Sequence, residues 1–192
     1  MSRGTLVTLA ALAVGVVCAV SILAEVDHAV HDRGLPLSDT AVIREQAADK
    51  HLDPALIAAV IYAETKFDPR PSVAGAQGLM QILPATAYYL AHLSGGTSFT
   101  AADLASPRVN VAYGSYYLRY LLDHYGGNEM LALAAYNGGL ANVDAWLAHA
   151  RADGTALNEE AIPFPETREY VRRVLSAQRD YRSIYGHQLG LE

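Results

Sequence analysis

From Asp53 onward, proline and glycine break the chain at helix-length intervals, and the stretches between the breaks show no convincing alternating strand pattern. That punctuation restricts the fold to an all-α class. Asp53-Pro54 reads as an N-cap with proline at the first helical position, where its missing N–H costs nothing. A helix is expected from Pro54 to about Lys66, ended by Asp68-Pro69-Arg70-Pro71. Gly78 to Leu83 reads as a short helix, restarted at Pro84 and continuing to about Leu93. Asn110 can cap a helix that ends at Gly126-Gly127, and Asn128 one that ends at Asn137-Gly138-Gly139. Two more are expected, around Val143 to Arg151 and from about Thr167 to Tyr185, the last stopped by Gly186. The long loops, 94–108 and 153–165, are where function tends to sit in a compact domain.

The composition, 52% apolar and 18% charged, is rich in apolar residues for a soluble domain. The excess is concentrated between Thr5 and Ala24, a run with no charged side chain and about the length a helix needs to cross a bilayer. Arg3 precedes it and Glu25 and Asp27 follow, which places the amino terminus in the cytoplasm and exports the rest to the cell envelope. Residues 1–24 are thus expected to be a signal-anchor or signal peptide, and 25–37 a juxtamembrane linker. Residues 38–186 are the domain and 187–192 a tail. The spanning length favours a retained anchor in the cytoplasmic membrane, since Ala19-Val20-Ser21 is only a passable cleavage site.

Cys18 is the only cysteine, so the exported part has neither disulfide nor thiol chemistry. That part keeps all 20 acidic side chains and has no run of basic ones, which argues against a nucleic-acid partner. His28 and His31 form the only closely spaced pair with ligand-like spacing. They lie in the linker and read as solvated histidines; with no H-E-x-x-H sequence, neither metal nor cofactor is expected.

On the helix opened by Pro54, Ile57, Val60, Ile61 and Glu64 share one face. Periodicity alone favours a plain reading, in which Glu64 is a last-turn residue leaning into solvent. A carboxylate on the core-facing stripe would instead sit partly out of water, and its pKa would rise toward the range of a general acid. The neighbourhood favours the second reading. Gly75-Ala76-Gln77-Gly78-Leu79-Met80-Gln81 supplies glycines that let backbone approach a ligand, and Gln81 offers both a donor and an acceptor. Ala134-Ala135-Tyr136-Asn137-Gly138-Gly139 adds an aromatic ring and an amide beside a turn, the mixture that binds sugars. The 12 tyrosines against 3 phenylalanines lean the same way.

Five blocks in order carry a resemblance: Glu64-Thr65; Gly75 to Ala87; Asn110 with Gly114 and Tyr117-Leu118; Ala135 to Gly139; and Glu166-Thr167 with Tyr170-Val171. Together the sequence from Ser38 to Tyr185 resembles the SLT-type lytic transglycosylases, which share a lysozyme-like fold with goose-type lysozyme. The resemblance implies a helical domain with a substrate groove, and Glu64 as catalytic acid/base. Ser72, Gln81, Tyr136, Asn137 and Tyr170 would bind or orient the sugar. Thr65 stands where the family usually has serine, Leu83 where methionine is frequent, and the loop from Glu64 to Ser72 is one residue shorter than the usual pattern.

Hydrolysing glycosidases usually set two carboxylates across the scissile bond. No second one is evident here, since Asp68 reads as a turn residue and Asp123, Asp144 and Glu169 as solvated helical ones. The resemblance implies the reaction that suits one acid: cleavage of peptidoglycan between N-acetylmuramic acid and N-acetylglucosamine, with closure of a 1,6-anhydro ring. The alternatives are a goose-type muramidase that uses water and a catalytically silent peptidoglycan-binding module.

Overall fold

The computed structural model describes residues 35–95 and 98–191. The chain divides after Pro36, and every named element lies in the unit from Leu37 onward. The predicted membrane helix at residues 1–24, the linker up to Gly34 with its histidines, and Cys18 lie outside the described residues. Among the described residues no helix is long and apolar enough to cross a membrane.

The described residues of this unit form seven α-helices: α1 (Thr40–Lys50), α2 (Pro54–Thr65), α3 (Pro84–Ser94), α4 (Pro107–His124), α5 (Glu129–Gly138), α6 (Leu140–Ala152) and α7 (Pro165–Leu189). Short 3-10 turns at Ala101–Ala105 and Glu159–Ala161 interrupt the two long loops. The described residues contain no β-sheet; Gln77 and Ile82 pair as one isolated antiparallel bridge.

Helix α2 is the centre of the core. Every residue from Ala55 to Ile61 is buried, so α2 is apolar all round, as a helix enclosed by others must be. The face shared by Ile57, Val60 and Ile61 is therefore one side of a wholly buried rod, and Glu64 sits where that rod emerges. Asp53 starts α2 as expected: one carboxylate oxygen accepts from the Ala55 N–H at 2.9 Å. Its other oxygen accepts from Gln178 at 2.8 Å and Arg182 at 2.7 Å, both on α7. The start of α2 is thus tied to the long helix against which it packs most extensively.

Three sequence expectations need correction. Gly78 to Leu83 is not a helix: the bridge between Gln77 and Ile82 closes a tight turn, with Gly78 and Gln81 both at positive φ. Asn110 does not cap a helix; α4 begins three residues earlier at Pro107 after Ser106, leaving Asn110 fully buried inside it. Gly186 does not stop the last helix, which continues to Leu189 and ends at Gly190, φ 77°. Helix α1 lacks a strong apolar period, burying only Ile43, Gln46 and Ala47. By contrast, Asn128 caps α5 as expected, accepting from the Leu131 N–H at 3.1 Å.

Candidate active site

Glu64 lies in the last turn of α2 and is half-buried. Burial raises its carboxyl from the ordinary 4.5 to about 7, and the Tyr170 hydroxyl and the Arg173 charge only partly oppose that shift. Both opposing groups come from one face of α7, where the Arg173 guanidinium lies 5.9 Å from the centre of the Tyr170 ring. Tyr170 is buried and its hydroxyl completes no hydrogen bond of good geometry, yet it is near enough to Glu64 to favour the carboxylate. Burial and then the Glu64 charge hold the Tyr170 hydroxyl firmly protonated. The result is a carboxyl that can both give and take a proton near neutrality.

Glu64 opens into a cleft of about 330 Å³ that Lys66, Asp68, Arg70 and Gln81 also line. Among the described residues, Asp68 is the only other carboxylate lining it. It is exposed and paired with Arg70 at 2.5 Å, so its charge is engaged within its own turn.

The far wall is the turn between Gly75 and Ile82, held from three helices. Thr65, next to Glu64, donates from its hydroxyl to the Leu79 carbonyl at 2.8 Å. Asn110 of α4 accepts from the Met80 N–H at 2.8 Å and donates to the Gln77 carbonyl at 2.7 Å and the Leu104 carbonyl at 3.2 Å. Tyr136 of α5 donates to the Met80 carbonyl at 2.9 Å. The fit is close enough that a Cβ on Gly78 would overlap the Asn110 amide, and one on Gly114 would overlap the Met80 side chain. At Gly78 the positive φ of 74° adds a second reason for glycine.

The structure brings Glu64 and Gln81 into one cleft and sets Tyr136 and Tyr170 close enough that the Glu64 charge acts on both hydroxyls. Gln81 directs its amide nitrogen to the Arg70 carbonyl at 3.0 Å and the Gly78 carbonyl at 2.9 Å, leaving its oxygen as the group able to meet a ligand. Asn137 is exposed at the end of α5, and its side-chain oxygen accepts from the Thr167 hydroxyl at 2.8 Å. Ser72 does not line the cleft; its hydroxyl accepts from the Ala76 N–H at 2.9 Å and closes the approach to the turn.

Three residues enter the site that sequence reasoning gave no role there. Arg173 follows Tyr170 by one helical turn, a spacing that could have revealed it. Asn110 and Thr65 belong to the recognised blocks, but only their long-range backbone partners disclose what they hold.

The chain matches the Transglycosylase SLT domain family over residues 41–158, and residues 161–192 match the soluble lytic transglycosylase helical domain. It is similar to the soluble lytic murein transglycosylase of Escherichia coli K12, 33% identical over 155 residues, covering 79% of this chain and 24% of that protein. The crystal structure of the 70 kDa soluble lytic transglycosylase from Escherichia coli superposes with a TM-score of 0.73 at 28% identity, over 82% of this chain and 26% of that one. An inactive glutamate-to-glutamine mutant of the lytic transglycosylase Slt from Pseudomonas aeruginosa gives 0.71 at 31%, over 79% and 25%. The chain spans about a quarter of the length of these relatives. With a helical fold, an ordered set of sequence blocks and a family match over most of its length all in agreement, the chain belongs to the transglycosylase SLT domain family.

Proposed function

We propose that the chain is a peptidoglycan lytic transglycosylase in which Glu64 is the catalytic acid/base. The observation that carries this reading is a half-buried carboxyl raised to about 7 at the mouth of a cleft, with no unpaired carboxylate among the described residues that line that cleft. Glu64 gives its proton to the oxygen of the glycosidic bond between N-acetylmuramic acid and N-acetylglucosamine as the bond to the muramyl C1 breaks. The resulting carboxylate then takes the proton of the muramyl C6 hydroxyl while that oxygen bonds to C1. The ring closes as a 1,6-anhydro sugar, Glu64 regains its proton, and no water is consumed.

In this reading the Gln81 oxygen, Asn137 and the hydroxyls of Tyr136 and Tyr170 orient the sugar, and Ser72 shapes the loop at the groove edge. A wall substrate places the domain outside the cytoplasm, with residues 1–24 as its membrane anchor. A reporter that works only outside the cytoplasm, fused after Glu192, should be active; activity of a cytoplasmic reporter alone would reverse the topology.

A second reading is supported by Asp68, the other carboxylate lining the cleft: hydrolysis, with Asp68 directing a water. Mass spectrometry of products released from purified sacculi separates the two, because anhydro and reducing products differ by one water. Anhydro ends support the transglycosylase, and reducing ends overturn it in favour of the muramidase.

A further inference from the structure

Directly after α2 the backbone passes through two left-handed residues, Lys66 at φ 52° and Phe67 at φ 63°. Among the described residues they are the only adjacent non-glycine pair with positive φ. The Lys66 N–H closes α2 on the Tyr62 carbonyl at 3.0 Å, and the Asp68 N–H bonds to the Thr65 carbonyl at 3.0 Å. Lys66 and Phe67 are thus the central residues of a tight turn that asparagine and glycine fill with least strain. A bulky residue stays in such a conformation only where its surroundings hold it.

What holds Phe67 is its ring, 6.2 Å from that of Tyr181 on α7. Tyr181 is fully buried and also takes the rings of Tyr62 at 6.1 Å and Tyr185 at 5.8 Å. The side chains of the segment divide accordingly. Lys66, Asp68 and Arg70 line the cleft beside Glu64, and Phe67 does not. Between residues 66 and 71, Phe67 is the only one that is not exposed. The other ties are slight: Asp68 pairs with Arg70 inside the segment, and the Arg70 carbonyl accepts from the Gln81 amide at 3.0 Å. One ring seated outside the cleft therefore anchors the wall beside the acid.

We infer that Phe67 is a positioning residue: seated on Tyr181, its ring fixes the Lys66–Phe67 turn and, with it, the cleft wall against Glu64. This rests on the transglycosylase reading for what the cleft does, but not for how the wall is held. Loss of the ring acts in two ways. The wall drifts out of register with the acid, which lowers turnover. Water also reaches a carboxyl whose proton is retained chiefly because it is buried.

The test compares the full wild-type chain with Phe67→Ala, Phe67→Asn and Phe67→Leu. It reads steady-state turnover of sacculi and a carbon NMR titration of the Glu64 carboxyl, which needs no substrate. Alanine should lower kcat about tenfold, change KM by less than about twofold, and move the Glu64 titration down by about half a pH unit or more. Phe67 is uncharged, and Tyr170, Arg173, Tyr136, Lys66, Asp68 and Arg70 all remain, so such a shift reports water rather than a lost partner. Asparagine removes the ring but suits the left-handed backbone; it should fold more stably than alanine and show the same two losses, which keeps the test open if alanine does not fold. Leucine keeps an apolar anchor and should recover most of both. Wild-type turnover per folded molecule and an unmoved titration in the asparagine protein overturn the proposal, leaving Phe67 a residue of stability alone. If the wild-type chain releases no product from sacculi, the transglycosylase reading fails, and the titration by itself then decides the role of Phe67.

Discussion

Thr65 donates its hydroxyl hydrogen bond to the Leu79 carbonyl at 2.8 Å, fastening the residue beside Glu64 to the turn that faces it across the cleft. The same hydroxyl lies 3.1 Å from the Ile61 carbonyl within its own helix. Thr65→Val keeps the shape and removes the tie. Stability should fall by about 1 kcal/mol, the ordinary net value of such a bond. kcat/KM on sacculi should fall about tenfold, because the turn is no longer registered against the acid. Thr65→Ser should restore both; a serine variant as impaired as the valine one would show that the methyl group, and not the hydroxyl, matters.

Asn110 is the stronger tie. Replacing it by alanine removes the partner of the Met80 N–H and of the Leu104 carbonyl, while the Gln77 carbonyl keeps its bond from the Ile82 N–H at 3.0 Å, all around a side chain that is wholly buried. Each unpaired buried group costs about 1 to 3 kcal/mol, so Asn110→Ala should lose about 2 to 4 kcal/mol. Urea denaturation gives the value directly, and a loss below about 1 kcal/mol would show that the turn finds other partners.

Glu64 links stability to pH. Its folded pKa, about 7, stands above the ordinary 4.5, so the unfolded chain gives up the proton first as pH rises. The stability gained from keeping Glu64 protonated is fully present below about 4.5 and is lost as pH rises through about 7. Wild type should therefore lose about 1 to 3 kcal/mol between those limits relative to Glu64→Gln, whose neutral amide has nothing to titrate. Thermal unfolding of both proteins across that range measures the difference, and parallel curves would contradict it. The same substitution should lower turnover by at least about 10²-fold, with the fold intact.

The alkaline limb of the activity profile should follow the same proton. Because Glu64 must be protonated to act as an acid, kcat/KM should decline as pH rises through about 7. The Tyr170 hydroxyl favours the charged form, so Tyr170→Phe should move that limb to higher pH. An unmoved limb would mean that Tyr170 orients substrate without tuning the acid.

Much of this architecture is legible in the sequence because it is local. The Asp53-Pro54 start of α2 and the Asn128 cap of α5 need only neighbouring residues, and both stand as read. Asn110 departs from its expected capping role for a definite reason. An asparagine that caps a helix and one that clamps a turn 30 residues away both bond to backbone, and only the tertiary partner distinguishes them. Gly78 to Leu83 reads as helical because leucine, methionine and glutamine favour helices, but the bridge between Gln77 and Ile82 overrides that propensity. Glycine at 186 weakens a helix without ending it when the helix runs on to a better C-cap at Gly190. Neighbours in sequence single out Glu64 as the candidate acid; the groups that oppose its pKa shift, Tyr170 and Arg173, come from the far end of the chain.

That distance bears on when the acid becomes competent during synthesis. Asp53 receives its bonds from Gln178, 125 residues later, and Tyr170 and Arg173 arrive on the same late helix. Until α7 has been made, α2 lacks its principal packing partner and Glu64 lacks the two groups that oppose its upward shift. The surroundings of Glu64 are therefore completed by one of the last segments of the domain to leave the ribosome.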